Sequence, residues 1–123
     1  MPSIQVTTPK LTEEKANELA KRIQEAIYPV LNNREIFVFI NEPRYYVNGN
    51  PVDGGYINVK LDAANLSEEK LNEAVKVLYE AATAVLGELR FIFSYTNTPL
   101  DHVGVNGYMI NEYRRLKAEG KLQ

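Results

Sequence analysis

Removal of Met1 would turn Pro2 into an N-terminal secondary amine, followed at once by the strand-like run Ser3-Ile4-Gln5-Val6-Thr7-Thr8. An α-amino group titrates near ~8, and an apolar setting lowers the value for a cationic amine. Such a nitrogen is neutral at physiological pH. It can take a proton from carbon beside a carbonyl, and its conjugate acid can return that proton elsewhere. This chemistry needs a cation or hydrogen-bond donor for the carbonyl or carboxylate of the substrate. Arg44, after Pro43 in a turn-rich loop, could clamp a carboxylate bidentately. Lys60 lies mid-strand, where a charge must be exposed, paired or facing a pocket. His102, beside Asp101, is the single histidine and a candidate acid–base group, as the imidazole side chain commonly serves that role. Tyr46, Tyr56 and Tyr95 can each donate a hydrogen bond to an enolate oxygen.

Each residue also has a plainer explanation. Proline is an ordinary residue at position 2, and a loop arginine is usually solvated. A lone loop histidine is more often structural. The chain has eight tyrosines, most of which must simply fill core or interface. Lys10 and Arg34, near strand ends, read as solvated, and Asn97, matched by Asn41, reads as a repeated turn residue.

The elements that must position these residues form a duplication. Residues 11–27, LTEEKANELAKRIQEAI, align with residues 66–82, LSEEKLNEAVKVLYEAA, at an offset of 55, with nine identities from Leu11/Leu66 to Ala26/Ala81. Ile4-Gln5-Val6 pairs with Ile57-Asn58-Val59 at offset 53, and Ile36-Phe37-Val38 with Phe91-Ile92-Phe93 at offset 55. Self-similarity of this kind decides the architecture first, and two copies are too few for a solenoid. The expectation is an α+β fold with a four-stranded mixed sheet and two helices on one face. It forms a single domain over 1–123, with βαβ halves at about 2–53 and 54–107 and a C-terminal tail over 108–123.

Thr12 and Ser67 are placed to cap helices whose first turns carry Glu13-Glu14 and Glu68-Glu69. The stripes Ala16, Leu19, Ala20, Ile23, Ile27 and Leu71, Ala74, Val75, Leu78, Ala82 follow helical spacing. Pro29 predicts a distorted last turn, with Asn32-Asn33 closing the helix, and Gly87 suits a C′ position. Strands are expected at Glu35–Ile40, Tyr56–Leu61 and Arg90–Tyr95, with a short one inside Tyr45-Tyr46-Val47. The tail stretch Asn111–Glu119 has helical composition, and its Ile110, Tyr113 and Leu116 would dock on the same or a neighbouring subunit. In Glu35–Ile40, Ile36, Val38 and Ile40 point one way while Phe37 and Phe39 point the other. Arg90–Tyr95 reads the same way. Helices on one side cannot cover both faces, so a second copy of the chain is the simplest partner.

Composition narrows the function. Apolar and charged fractions of 45% and 24% are those of a globular domain, and a net charge of −2 disfavours a nucleic-acid partner. No apolar run reaches membrane length and no secretory signal is visible, so no membrane association and a cytoplasmic location are expected. With no cysteine and one histidine, no metal site and no cofactor are expected.

Pro2 leading into IQVTT, the two βαβ halves, and segment Arg90–Ile110 (RFIFSYTNTPLDHVGVNGYMI) resemble the tautomerase superfamily. The Val-Gly-x-Asn step after an aromatic strand is similar to its macrophage migration inhibitory factor branch. Gly54-Gly55 before a strand is similar to its cis-3-chloroacrylic acid dehalogenase branch. The resemblance implies a homotrimer with sheets inside, and a Pro2-based keto–enol tautomerase (an isomerase), or a dehalogenase, hydratase or decarboxylase relative. It implies a small-molecule substrate with a keto or carboxylate group, and an apolar wall from Val103, Val105 and a neighbour's aromatics. The chain departs from the family at its cations. Leu31, Phe37 and Asn65 stand where relatives carry a pocket lysine, a strand arginine and an arginine pair. Ser94, beside Tyr95, stands at the last-strand position. These departures speak against dehalogenation and leave open a non-catalytic binding protein of the same fold. A third reading is a ferredoxin-like module binding a metabolite or a partner; Gly54-Gly55 lacks the context of a phosphate-cradling loop.

Overall fold

The computed structural model describes residues 2–32 and 35–122. Met1, Asn33 and Arg34 therefore lie outside the described residues, and with them the readings made for those positions. The first half runs β1 (Ser3–Thr7), α1 (Glu13–Leu31), β2 (Phe37–Asn41), β3 (Tyr46–Val47) and β4 (Asn50–Pro51). The second runs β5 (Tyr56–Ala63), α2 (Glu68–Leu86), β6 (Arg90–Asn97), a 3₁₀ turn (Leu100–His102), β7 (Gly104–Val105), β8 (Tyr108–Met109) and α3 (Ile110–Ala118).

The main sheet has the order β2-β1-β5-β6. β1 is parallel to β2 and β5 is parallel to β6, as expected for a strand, a crossover helix and a strand. The halves meet through the antiparallel pair β1–β5, with Ser3 opposite Asp62 and Thr7 opposite Asn58. The mixed four-stranded sheet of an α+β fold, with α1 and α2 on one face, is therefore present.

Both helices start as their sequences dictate, because Thr12 Oγ1 accepts from Lys15 N and Ser67 Oγ from Lys70 N. α1 ends on Asn32 in the left-handed conformation, its N–H bonded to Tyr28 O at 2.7 Å. The distortion expected at Pro29 does not end the helix, which runs on to Leu31. A helix-interior proline lacks the N–H for one helical bond and crowds the carbonyl four residues back, and here only Val30 and Leu31 follow it before the Asn32 cap. Lys70 Nζ donates to Val30 O at 2.7 Å, so the first turn of α2 caps the last turn of α1.

The core lies between the helices and one sheet face. Ile4, Val6, Ile57, Val59 and Leu61 from the sheet meet Leu19, Ile23, Ile27, Ala74 and Leu78 from the helices, all at most 1% exposed. The alternate residues form the open face in rows set by register: Phe37-Ser3-Asp62-Thr96, then Phe39-Gln5-Lys60-Ser94, then Asn41-Thr7-Asn58-Ile92. Phe37 and Phe39 stack there at 6.4 Å and remain 39% and 50% exposed. The expectation of a two-faced apolar strand holds for β2. It needs correction for β6, whose open face carries Arg90, Ser94 and Thr96 around the single apolar Ile92, because Phe91, Phe93 and Tyr95 all turn to the core.

Two hairpins extend the duplication. Asn48 (φ 51°) with Gly49 (φ 80°), and Asn106 (φ 51°) with Gly107 (φ 89°), make the two-residue turns that positive φ at both positions requires. Their settings differ. The β3–β4 hairpin folds back on its own sheet, where Asn58 Nδ2 donates to Tyr45 Oη at 2.7 Å. The β7–β8 hairpin, which crosses the boundary expected at 107/108, packs with the 3₁₀ turn against α3 around the buried Ile110. Among the described residues no helix is long and apolar enough to cross a membrane.

Candidate active site

Pro2 is buried at the head of a strand that has neighbours on both sides. Its carbonyl accepts from Phe37 N at 3.2 Å. The antiparallel register puts it one step beyond the Ser3–Asp62 pair, at the end of the sheet where β5 and β6 finish. The loop that leads from there into α2 is locked by β6. Tyr95 Oη donates to Ala63 O at 2.9 Å and accepts from Leu66 N at 3.0 Å. Asn97 Oδ1 accepts from Asn65 N at 2.9 Å, while its Nδ2 donates to Asn65 Oδ1 at 3.2 Å. The single proton of the Tyr95 hydroxyl is therefore committed to the backbone. Asn97, read from sequence as a turn residue, is a clamp on the left-handed Asn65 (φ 50°).

The other sequence-derived candidates fall into three places. Lys60 stands mid-sheet on the open face, between Gln5 and Ser94, with no ion pair among the described residues. Arg44 and Tyr46 lie at the opposite end of the sheet from Pro2. The five residues of β1 separate those ends by about 17 Å at ~3.3 Å per residue. There they line a cleft of about 550 Å³ with Tyr45, Tyr56, Asn58 and Arg90. His102 and Val103 belong to the C-terminal unit. The His102 ring is exposed, with Nε2 at 3.9 Å from Asp101 Oδ1, and Val103 O accepts from Ile110 N at 2.8 Å. One chain thus brings Tyr95 to the Pro2 end and gathers Arg44 with Tyr46. It does not unite the two sets.

Arg90 is the residue that sequence reading passed over. In the sequence it is simply the first residue of an expected strand, and only the β5–β6 register sets it beside Tyr56 on the open face. A separate cavity of about 320 Å³ lies where α1 begins and α2 ends, with Thr8, Lys10, Lys15, Asp53 and Glu88 in its lining.

No family model matches the chain, and no curated protein matches it. Solved structures do. An asymmetric trimer of R7 fused 4-OT superposes with a TM-score of 0.79 at 15% identity, over 92% of this chain and 99% of that one. The macrophage migration inhibitory factor-like protein of Entamoeba histolytica gives 0.74 at 12% identity, over 89% and 98%. N1, a member of the cis-3-chloroacrylic acid dehalogenase family, gives 0.73 at 9% identity, over 97% and 95%. The resemblance drawn from Pro2, the paired βαβ halves and the Val-Gly-x-Asn step thus extends over about nine-tenths of the backbone, and the chain has the α+β tautomerase fold that these structures share.

Proposed function

We propose that the protein is a tautomerase-like isomerase acting on a small keto or enol acid, with Pro2 as general base and acid once Met1 has been removed. The observation that carries this reading is the burial of Pro2 at the head of a central strand in a tautomerase-superfamily fold. Desolvation holds a secondary amine in its neutral form near physiological pH. In the keto-to-enol direction the Pro2 nitrogen takes a proton from the carbon beside the carbonyl. The C–H electron pair becomes the enolate double bond and charge moves to oxygen. The protonated amine then delivers the proton to that oxygen, and the reverse sequence ketonises the enol.

Within one chain the Pro2 end supplies no cation from Leu31, Phe37 or Asn65, so the reading calls for a homo-oligomer, with fused 4-OT trimers as the precedent. The exposed Phe37–Phe39 pair is the surface such assembly would cover. A neighbour's His102 and Val103, carried on the C-terminal unit, would supply a donor and an apolar wall. Lys60 is the cation closest to Pro2 in register on the open face. The test is ketonisation of phenylenolpyruvate or hydroxyphenylenolpyruvate, followed by loss of the enol absorbance. Pro2→Ala should abolish turnover while leaving the far-ultraviolet circular dichroism unchanged; equal turnover in that variant rejects the reading.

The missing cations favour a second reading, a non-catalytic protein that keeps the fold. Mass spectrometry of the purified chain separates the two, because a retained Met1 acylates the Pro2 nitrogen and removes its basicity.

A further inference from the structure

We propose that the cavity at the start of α1 and the end of α2 binds a small zwitterion, a molecule of the amino-acid class with one carboxylate and one ammonium group. The internal repeat explains why the space exists. Pro2 maps onto Gly55 at offset 53 and Leu31 onto Leu86 at offset 55, and both Gly55 and Leu86 line this cavity. It is therefore the second copy's counterpart of the Pro2 end. At the Pro2 end two side chains tie the loop and helix ends together. Tyr95 Oη bonds Ala63 O and Leu66 N, and Lys70 Nζ donates to Val30 O at 2.7 Å. Their counterparts at offset 55 are Ile40, which has no hydroxyl, and Lys15, whose ammonium makes no hydrogen bond to the end of α2 among the described residues. The loop before α1 is held from the other side, where the Glu42 carboxylate accepts from Leu11 N. About 320 Å³ is left open on the helix side of the sheet, away from the face that carries Phe37 and Phe39.

The lining is charged in both senses. Lys10 and Lys15 share it with Asp53 and Glu88, and none of the four has an ion pair among the described residues. An ion of one sign would meet attraction and repulsion together, whereas a molecule bearing both charges finds a complement for each. The positive end of the α1 dipole adds to the two lysines. Leu11, Leu86 and Leu89, all packed against the core, form the apolar wall for a short carbon stem. Thr8 is 1% exposed and its hydroxyl makes no hydrogen bond among the described residues. No fully buried side-chain polar atom there lacks a partner, so the access that Thr8 keeps is at that hydroxyl, on the cavity. It offers a ligand oxygen one donor. The volume stands at the lower end of the usual range for small-molecule sites, about 300–1,000 Å³, which suits a ligand of a few carbons.

This site does not depend on the Pro2 reading. It lies a strand's length from Pro2, and no proton transfer is required of it.

The experiment is an NMR titration of the whole chain with glycine, β-alanine and γ-aminobutyrate, with butyrate and butylammonium as single-charge comparisons. At least one zwitterion should bind saturably, about tenfold more tightly than either comparison ion, and should move the amides of residues 8–15 and 86–89. Raised salt should weaken it. Lys15→Gln and Glu88→Gln, both at exposed positions, should each weaken that ligand about fivefold or more, as loss of a charge-assisted hydrogen bond does. Pro2→Ala should bind it like the parent. The proposal is overturned if no zwitterion saturates, if butyrate or butylammonium binds as tightly, if either charge variant binds unchanged, or if Pro2→Ala loses binding.

Discussion

Replacing Tyr95 with phenylalanine separates a structural hydroxyl from a chemical one. The hydroxyl donates to Ala63 O at 2.9 Å and accepts from Leu66 N at 3.0 Å. Among the described residues, deleting it leaves Ala63 O with only the long 3.4 Å contact from Thr98 N, and Leu66 N with no replacement acceptor. The ring stays packed against the core beside Leu61, so the apolar term is unchanged. A net hydrogen bond contributes ~0.5–1.5 kcal/mol and a stranded, part-buried amide costs ~1–3 kcal/mol, which together put the loss at about 2 kcal/mol. With a urea m-value of about 2 kcal/mol/M, the midpoint should fall by about 1 M at constant m. Parent and variant must be compared at one protein concentration, because assembly adds to apparent stability. Ketonisation by the folded variant should stay within about threefold of the parent, about 0.7 kcal/mol in the barrier. A midpoint shift below about 0.3 M would contradict the structural assignment. Unchanged stability with lost turnover would mean that this hydroxyl serves the substrate instead.

Three further expectations follow from other elements. Phe39→Lys puts a charge on the exposed aromatic pair of the edge strand β2, and sedimentation should show a shift from oligomer towards the 14.0 kDa protomer; an unchanged mass would place the interface elsewhere. Ser67→Ala removes the oxygen that accepts from Lys70 N and should cost about 1 kcal/mol in urea unfolding, whereas Ser67→Thr should cost much less. In α3, the hydrogen bond from Arg115 holds the Glu112 carboxyl below its ordinary value of 4.5, against a smaller opposing effect of desolvation. Because the folded value is the lower one, the pair supports α3 above the ordinary carboxylate range and loses that support as pH falls through it. The α3 amides should show an acid-side loss of order that Glu112→Gln lacks; a titration identical in both proteins would count against the pair.

Much of the scaffold is legible without coordinates because its signals are local. The Thr12 and Ser67 caps, the helical stripes and the alternation in Ile4-Gln5-Val6 and Ile57-Asn58-Val59 each act within a few residues, and each is found where the chain puts it. The internal repeat supplies the one long-range statement, that what residues 11–27 do, residues 66–82 do again. The Asn-Gly pairs are equally local, yet their consequence is not. Both make hairpins, but only a partner side chain, Asn58 for the first and Ile110 for the second, decides where each hairpin rests.

The chemistry divides differently. Nothing near Arg44 in sequence says that it lies a strand's length from Pro2, and nothing near Arg90 says that it joins Arg44. Side-chain periodicity tells which face a residue takes within its own strand, while the order β2-β1-β5-β6 and its registers decide which residues of different strands become neighbours. Tyr95 illustrates the same limit, since its hydroxyl is spent on Ala63 and Leu66, groups about 30 positions away. By itself, then, the sequence determined the repeated βαβ plan, the helix boundaries and the family resemblance, because propensity, capping and alternation act over one or two turns. Tertiary structure alone decided which cations meet which aromatics and which hydroxyl remains free, because those follow from pairing between segments that chain connectivity leaves far apart.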